Sequence, residues 1–181
     1  MTRNLLEAIL FVAEDPVPLA ELAELLELSA EGVGSELAGL EAELRERRSG
    51  LVLREVAGGW RLYTHPDTFP YLERFASSAT ATRLSGAALE TLAVVAYRQP
   101  VSRGQVTDIR GVDSESALHT LERRGLVAEV GRLSAPGTPV LYGTTPLFLE
   151  KLGLKSLDDL PPLADHIPPA EVMEAFEEPL R

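Results

Sequence analysis

Apolar residues recur with a helical period at the start of the chain. Leu5, Ile9 and Val12 share one face of residues 4–14, with Leu6, Leu10 and Ala13 beside them. Asp15-Pro16 closes that helix, because a residue before proline is pushed out of the α region. A second helix is predicted over 18–27 from Leu19, Leu22, Leu25 and Leu26. Ser29 is placed to cap a third, whose apolar stripe is Val33, Leu37, Leu40 and Leu44, with Gly50 as its stop. The period then changes. Residues 51–57 and 60–64 read as two strands joined across Gly58-Gly59. A short helix is expected at 66–76.

The same order of parts returns downstream. Ser85 caps a predicted helix over 86–98, which Gln99-Pro100 ends. Ser102 with Gln105 is a capping box opening a short helix, and Arg110-Gly111-Val112 is a turn. Asp113 is placed to cap a third helix over 114–124 that Gly125 terminates. Strands follow at 126–130 and 139–144, with a loop at 134–139. The two copies align by residue. Leu6–Ala13 lies over Leu89–Ala96, Pro16-Val17 over Pro100-Val101, Leu22 and Leu25 over Val106 and Ile109, Leu37 over Leu121, and Gly50-Leu-Val over Gly125-Leu-Val.

Three helices, a tight turn between the second and third, then a β-hairpin describe a helix-turn-helix with a wing. The predicted fold class is therefore α+β, mostly α, with two tandem winged-helix domains. The expected division is a first domain at 1–76, a small polar linker at 77–84, a second domain at 85–160 and an acidic, proline-rich flexible tail at 161–181. Within that tail Val172, Met173 and Phe176 have the spacing of one amphipathic turn.

Two segments, Ile9–Ala13 and Leu92–Ala96, are apolar on every face of their helices. Such a helix must be covered all round, and a domain of about 75 residues has one small core, so part of this surface is expected to meet another domain or chain. Trp60 and Tyr63 on the first wing suggest either core packing or an aromatic contact surface.

Charge narrows the possible partners. The formal net charge is −11. Residues 1–76 hold 14 acids against 7 bases, and residues 85–155 hold 7 against 8. An acidic first domain repels phosphate, and its third helix carries Glu31, Glu36, Glu41 and Glu43 before Arg45. The second domain, with Arg103, Arg110, Arg123, Arg124 and Arg132, is where a nucleic-acid contact stays arguable. No cysteine is present, which fits a reducing, cytoplasmic setting. No apolar run approaches the roughly 20 residues of a membrane span. The histidines 65, 119 and 166 are far apart, and no phosphate loop or catalytic constellation is evident, so no enzyme, metal or cofactor is expected.

Leu84–Pro100, Ile109–Val112, Pro136–Thr145, Phe148-Leu and Gly153–Pro162, in that order, resemble the segregation and condensation protein B family. In the first domain the likeness rests on Glu7–Ala13 and Gly59–Thr64. The resemblance implies a homodimer, formed chiefly through the N-terminal domain, that binds a bacterial kleisin with help from the C-terminal domain. Through the kleisin it joins a structural-maintenance-of-chromosomes (SMC) ATPase, without direct sequence-specific nucleic-acid binding and without a membrane. One departure is Thr138, which stands in the Pro-Gly-x-Pro loop where the family often carries a base.

The partner contact is expected around Tyr97, Arg98, Gln99, Pro100, Arg110, Gly111 and Tyr142, where the motifs concentrate. A partner helix laid in an apolar groove is the expected mode. The alternative is a winged-helix transcription regulator that uses the second domain on DNA.

Overall fold

The computed structural model describes residues 2–76 and 84–162. The order of elements is α1 (Thr2–Val12), α2 (Leu19–Leu26), α3 (Ala30–Glu46), β1 (Leu51–Val56), β2 (Gly59–Thr64), a 3-10 turn (Pro66–Thr68) and α4 (Phe69–Ala76). A second series follows: α5 (Gly86–Arg98), β3 (Val101–Ser102), α6 (Arg103–Arg110), α7 (Glu115–Arg123), β4 (Val127–Arg132), β5 (Val140–Thr144), α8 (Pro146–Leu152) and a 3-10 turn (Leu157–Asp159). Each series is a winged helix with its own core. Leu6, Leu10, Leu22, Leu37, Leu40 and Leu44 lead the first. Leu92, Val95, Val106, Leu118, Leu121 and Phe148 lead the second. Residues 77–83 and 163–181, which hold most of the predicted linker and tail, lie outside the described residues.

The caps form as the sequence requires. Ser29 Oγ accepts from the Gly32 amide and Ser85 Oγ from the Ala88 amide. Ser102 and Gln105 complete the box at α6, each bonding the other's backbone amide. Gly111, at φ 69°, closes α6 in the left-handed conformation that glycine adopts without strain.

Other local expectations are corrected. α3 does not run to Gly50. It ends at Glu46, and Arg48, at φ 47°, turns the chain so that the Ser49 amide donates to Leu44. The first hairpin turns on Ala57-Gly58, at φ 48° and 77°, the two positive angles of a tight hairpin turn. Gly59 is instead a strand residue pressed against Pro16. A Cβ there would lie 2.7 Å from the Pro16 carbonyl carbon. Ser114, not Asp113, occupies the N-cap of α7, and Asp113 accepts from the Glu115 amide one position further on.

Each sheet has a third member. Val101 pairs with Tyr142 to give the order β3-β5-β4, and Val17 makes a single antiparallel bridge to Trp60. The Pro-Val pairs of the repeat are therefore structurally equivalent, and Trp60 takes the place of Tyr142. The opening octapeptides match in sequence but not in the faces they bury. Leu6 and Leu10 are buried, whereas their aligned partners Leu89 and Ala93 are exposed. α5 turns Leu92, Val95 and Ala96 inward instead. A shift of one residue rotates a helix by about 100°, enough to exchange its buried and open sides.

Candidate protein-interaction surfaces

The seven predicted contact residues divide into two places. Arg110 and Gly111 sit at the end of α6, where Arg110 Nη2 donates to Glu90 at 2.8 Å and Nη1 to Ser114 at 3.3 Å. The Arg110 side chain is only 7% exposed. It is a bolt between α5 and the turn before α7, and Gly111 is the turn. Tyr97, Arg98, Gln99 and Pro100 lie at the other end of α5, nine residues beyond Glu90, about 13 Å along the axis. Gln99 is also internal in role. Its Oε1 accepts from the Thr144 amide at 2.8 Å, and its Nε2 donates to the Ala96 carbonyl and to Thr144 Oγ1. It fastens the end of α5 to β5.

Of the seven, Tyr97, Arg98, Pro100 and Tyr142 are the ones whose side chains are open or partly open to solvent without bracing the second unit in this way. Tyr97 packs on the second core and donates through its hydroxyl to the Pro161 carbonyl at 2.6 Å. Arg98 and Pro100 are exposed. Tyr142 is half-buried on β5, beside Arg103, Glu115, Leu118 and Glu122 at a cleft. Partial burial, reinforced by Glu122 and Glu129, pushes its phenol above the ordinary tyrosine value.

α7 occupies the position of a recognition helix, but its open side carries Glu115, Ser116 and His119, with Glu122 half-buried beside them and a single exposed base, Arg123, in the last turn. Three of the five bases expected to favour phosphate are committed to carboxylates. Arg103 pairs with Glu115 at 2.8 Å, Arg110 with Glu90, and Arg132 with Glu129 at 3.7 Å. A base that already holds a carboxylate adds little positive field for a phosphate.

The first unit shows a different kind of surface. Its α3 acids are stitched to α1. Arg3 donates to Glu36 at 3.1 Å and to Glu43 at 2.5 Å, lying over Gly39, where a Cβ would lie 2.6 Å from the guanidinium carbon. Both acids hold the Arg3 guanidinium above its usual pKa. Arg47 pairs with Glu7 in the same way. Opposite this network α1 presents an open apolar stripe of Leu5, Ala8, Phe11 and Val12, with Phe11 77% and Val12 75% exposed. Spacings of three, four and seven put these four on one side of the helix. α4 is a second such element. Phe69, Tyr71, Leu72 and Phe75 are all exposed, and its main contacts are with the 3-10 turn before it. Uncovered apolar faces on two helices of one small unit mark a candidate association surface. The short helix expected at 66–76 forms over 69–76 behind the 3-10 turn, but nothing local in the sequence shows that its aromatics stay uncovered.

Among the described residues no cluster of three or more His, Asp or Glu is placed to hold a metal, and no helix is long and apolar enough to cross a membrane. His65 accepts from the Asp67 amide at the start of a 3-10 turn, and His119 is exposed. His166 lies outside the described residues.

The family model for segregation and condensation complex subunit ScpB matches residues 4–163, both winged helices together. The chain belongs to the ScpB family. Segregation and condensation protein B of Halalkalibacterium halodurans is 48% identical over 93% of this chain and 86% of its own length. That of Desulforamulus reducens is 42% identical over 96% of this chain and 95% of its own. The crystal structure of ScpB from Mycobacterium tuberculosis is 44% identical over 84% of this chain and 95% of its own, with a TM-score of 0.41. In ScpB terms, the ordered motifs of the second unit fall mainly on elements that build its core. Gln99, Arg110 and Gly111 are motif residues that hold structure.

Proposed function

We propose that the chain is a non-enzymatic scaffold subunit of a bacterial SMC–kleisin condensin complex. It acts in the cytoplasm as a homodimer that holds the kleisin subunit during chromosome condensation and segregation. The observation that carries this is the family match over residues 4–163, which takes in both winged helices. The bare stripe of α1 and the aromatics of α4 support self-association through the first unit. The second unit takes part in gripping the kleisin, through Tyr97, Arg98, Pro100 and Tyr142. The acids on the open side of α7 and the pairing of Arg103, Arg110 and Arg132 with carboxylates weigh against the alternative, a DNA-reading regulator.

Co-elution with an ScpA-type kleisin tests the proposal. The full chain is expected to elute as one complex with it. Changing Arg98→Glu together with Tyr142→Ala is expected to lower affinity about tenfold or more, the loss of roughly 1.4 kcal/mol or more. A complex indifferent to both substitutions removes the second unit from the contact. Tight, sequence-selective retention on duplex DNA with a steep salt slope would overturn the scaffold reading itself.

A further inference from the structure

The first wing does not end in solvent. Arg54 and Arg61 oppose each other across β1 and β2, as do Val52 and Tyr63, so these four side chains share the outer face of the hairpin, away from Leu53 and Leu62 on the core side. α8 of the second unit lies against that face. Arg61 Nη1 donates to Glu150 Oε1 at 2.5 Å, with the two side chains only 25% and 13% exposed. Arg61 also lies over the Tyr63 ring, 5.8 Å from its centroid. At the tip of the hairpin the Ala57 amide donates to the Leu154 carbonyl at 2.9 Å, and at its edge Lys155 reaches Glu55 at 2.8 Å.

The local sequence of the second unit sets up this contact. Gly153, at φ 69°, ends α8, and the amide of Leu154 is used in that cap, donating to Leu149. The Leu154 carbonyl is left to accept from the hairpin. Asp159 then accepts from the amides of Lys155 and Ser156 and fixes the segment that carries them.

We infer that the outer face of the first wing and the α8–Lys155 segment form an intrachain latch that sets the angle between the two winged helices in the free chain and withholds that face from other partners. The two ion pairs differ in a way that makes the latch graded. Lys155–Glu55 is open to water, with side chains 61% and 36% exposed, and is screened by salt. Arg61–Glu150 is shielded and persists. A partner that uses the first wing must displace α8 to reach it.

The chain has no cysteine, so two can be introduced for spin labels, at the exposed positions Glu24→Cys on α2 and Ser116→Cys on α7. Pulsed dipolar spectroscopy on the full chain, diluted tenfold into unlabelled chain to isolate distances within one copy, reads the angle as a distance distribution. At low salt the expected result is one narrow peak. Glu150→Lys is expected to broaden it at least twofold. The exchanged pair Arg61→Glu with Glu150→Arg is expected to bring back the narrow peak, which a merely disrupted fold would not do. A distribution already broad in the parent chain, one unchanged by Glu150→Lys, or a swap that stays broad overturns the inference. So does a narrow peak that disappears on dilution, because the contact would then join two copies.

Discussion

α1 and α5 open the two winged helices with near-matching apolar octapeptides, yet they end in different surroundings. α5 is enclosed by α6, α7 and β5, and its Val95 is fully buried. α1 meets α3 and β2, and its Val12 is left 75% exposed. Both segments were expected to need cover on every side. The second unit supplies most of that cover within the chain. The first leaves the stripe of α1 open, so the same apolar pattern builds a core in one unit and, in the function proposed above, an association surface in the other.

A single change at each aligned position breaks the comparison most sharply. Val95→Asp puts a carboxylate where nothing can pair it, and a cost of about 3 kcal/mol or more is expected. The second unit should then unfold early in a urea titration followed by circular dichroism. Val12→Asp is expected to leave the unfolding of the monomer within about 0.5 kcal/mol. It should instead shift the light-scattering mass from dimer toward monomer at tens of micromolar. A Val12→Asp chain that stays fully dimeric would remove the α1 stripe from the interface.

Gln99 sharpens the contrast between motif residues that hold structure and those that are open. Replacing it with alanine leaves the Thr144 amide without its acceptor, and about 2 kcal/mol of stability should be lost. Arg98→Ala, one residue away and exposed, should change stability by less than about 0.5 kcal/mol. Equal losses in chemical denaturation would mean that the end of α5 is not fastened through Gln99.

Most elements were legible because their signals are local. Ser29, Ser85 and the Ser102–Gln105 box are read from the immediate neighbours, and the stripe of Val33, Leu37, Leu40 and Leu44 is read from spacing alone. The missed features depend on tertiary contact. Gly59 looked like half of a turn, but it is glycine because Pro16 lies against it, and Ala57 takes the left-handed position instead. Arg110 looked like an open base, but it is enclosed because α5 places Glu90 beside it. α8 has no long period to reveal it, being a seven-residue helix that opens on Pro146. The candidate site was the least legible part. Motif density marked the residues that fix the second unit, and neither the bare aromatics of α4 nor the cover over the first wing has a signature in nearby sequence.

The smallest expected effect concerns the start of the second helix in each unit. α6 opens with the full box of Ser102 and Gln105, whereas α2 opens on Pro18, which makes no side-chain cap bond. The positions correspond, and Glu21 stands in α2 where Gln105 stands in α6, so the first unit already holds half of the same box. Ser102→Ala should cost about 1 kcal/mol. Pro18→Ser should complete the missing box with Glu21, gaining about 1 kcal/mol from the cap and losing about 0.5 kcal/mol because the unfolded chain is freer without proline. The net gain is therefore about half the loss at Ser102, and thermal unfolding of the two single variants beside the parent measures both. If Pro18→Ser destabilises the chain instead, the rigid approach of Pro16-Val-Pro18 to Trp60 contributes more to the first unit than a cap would.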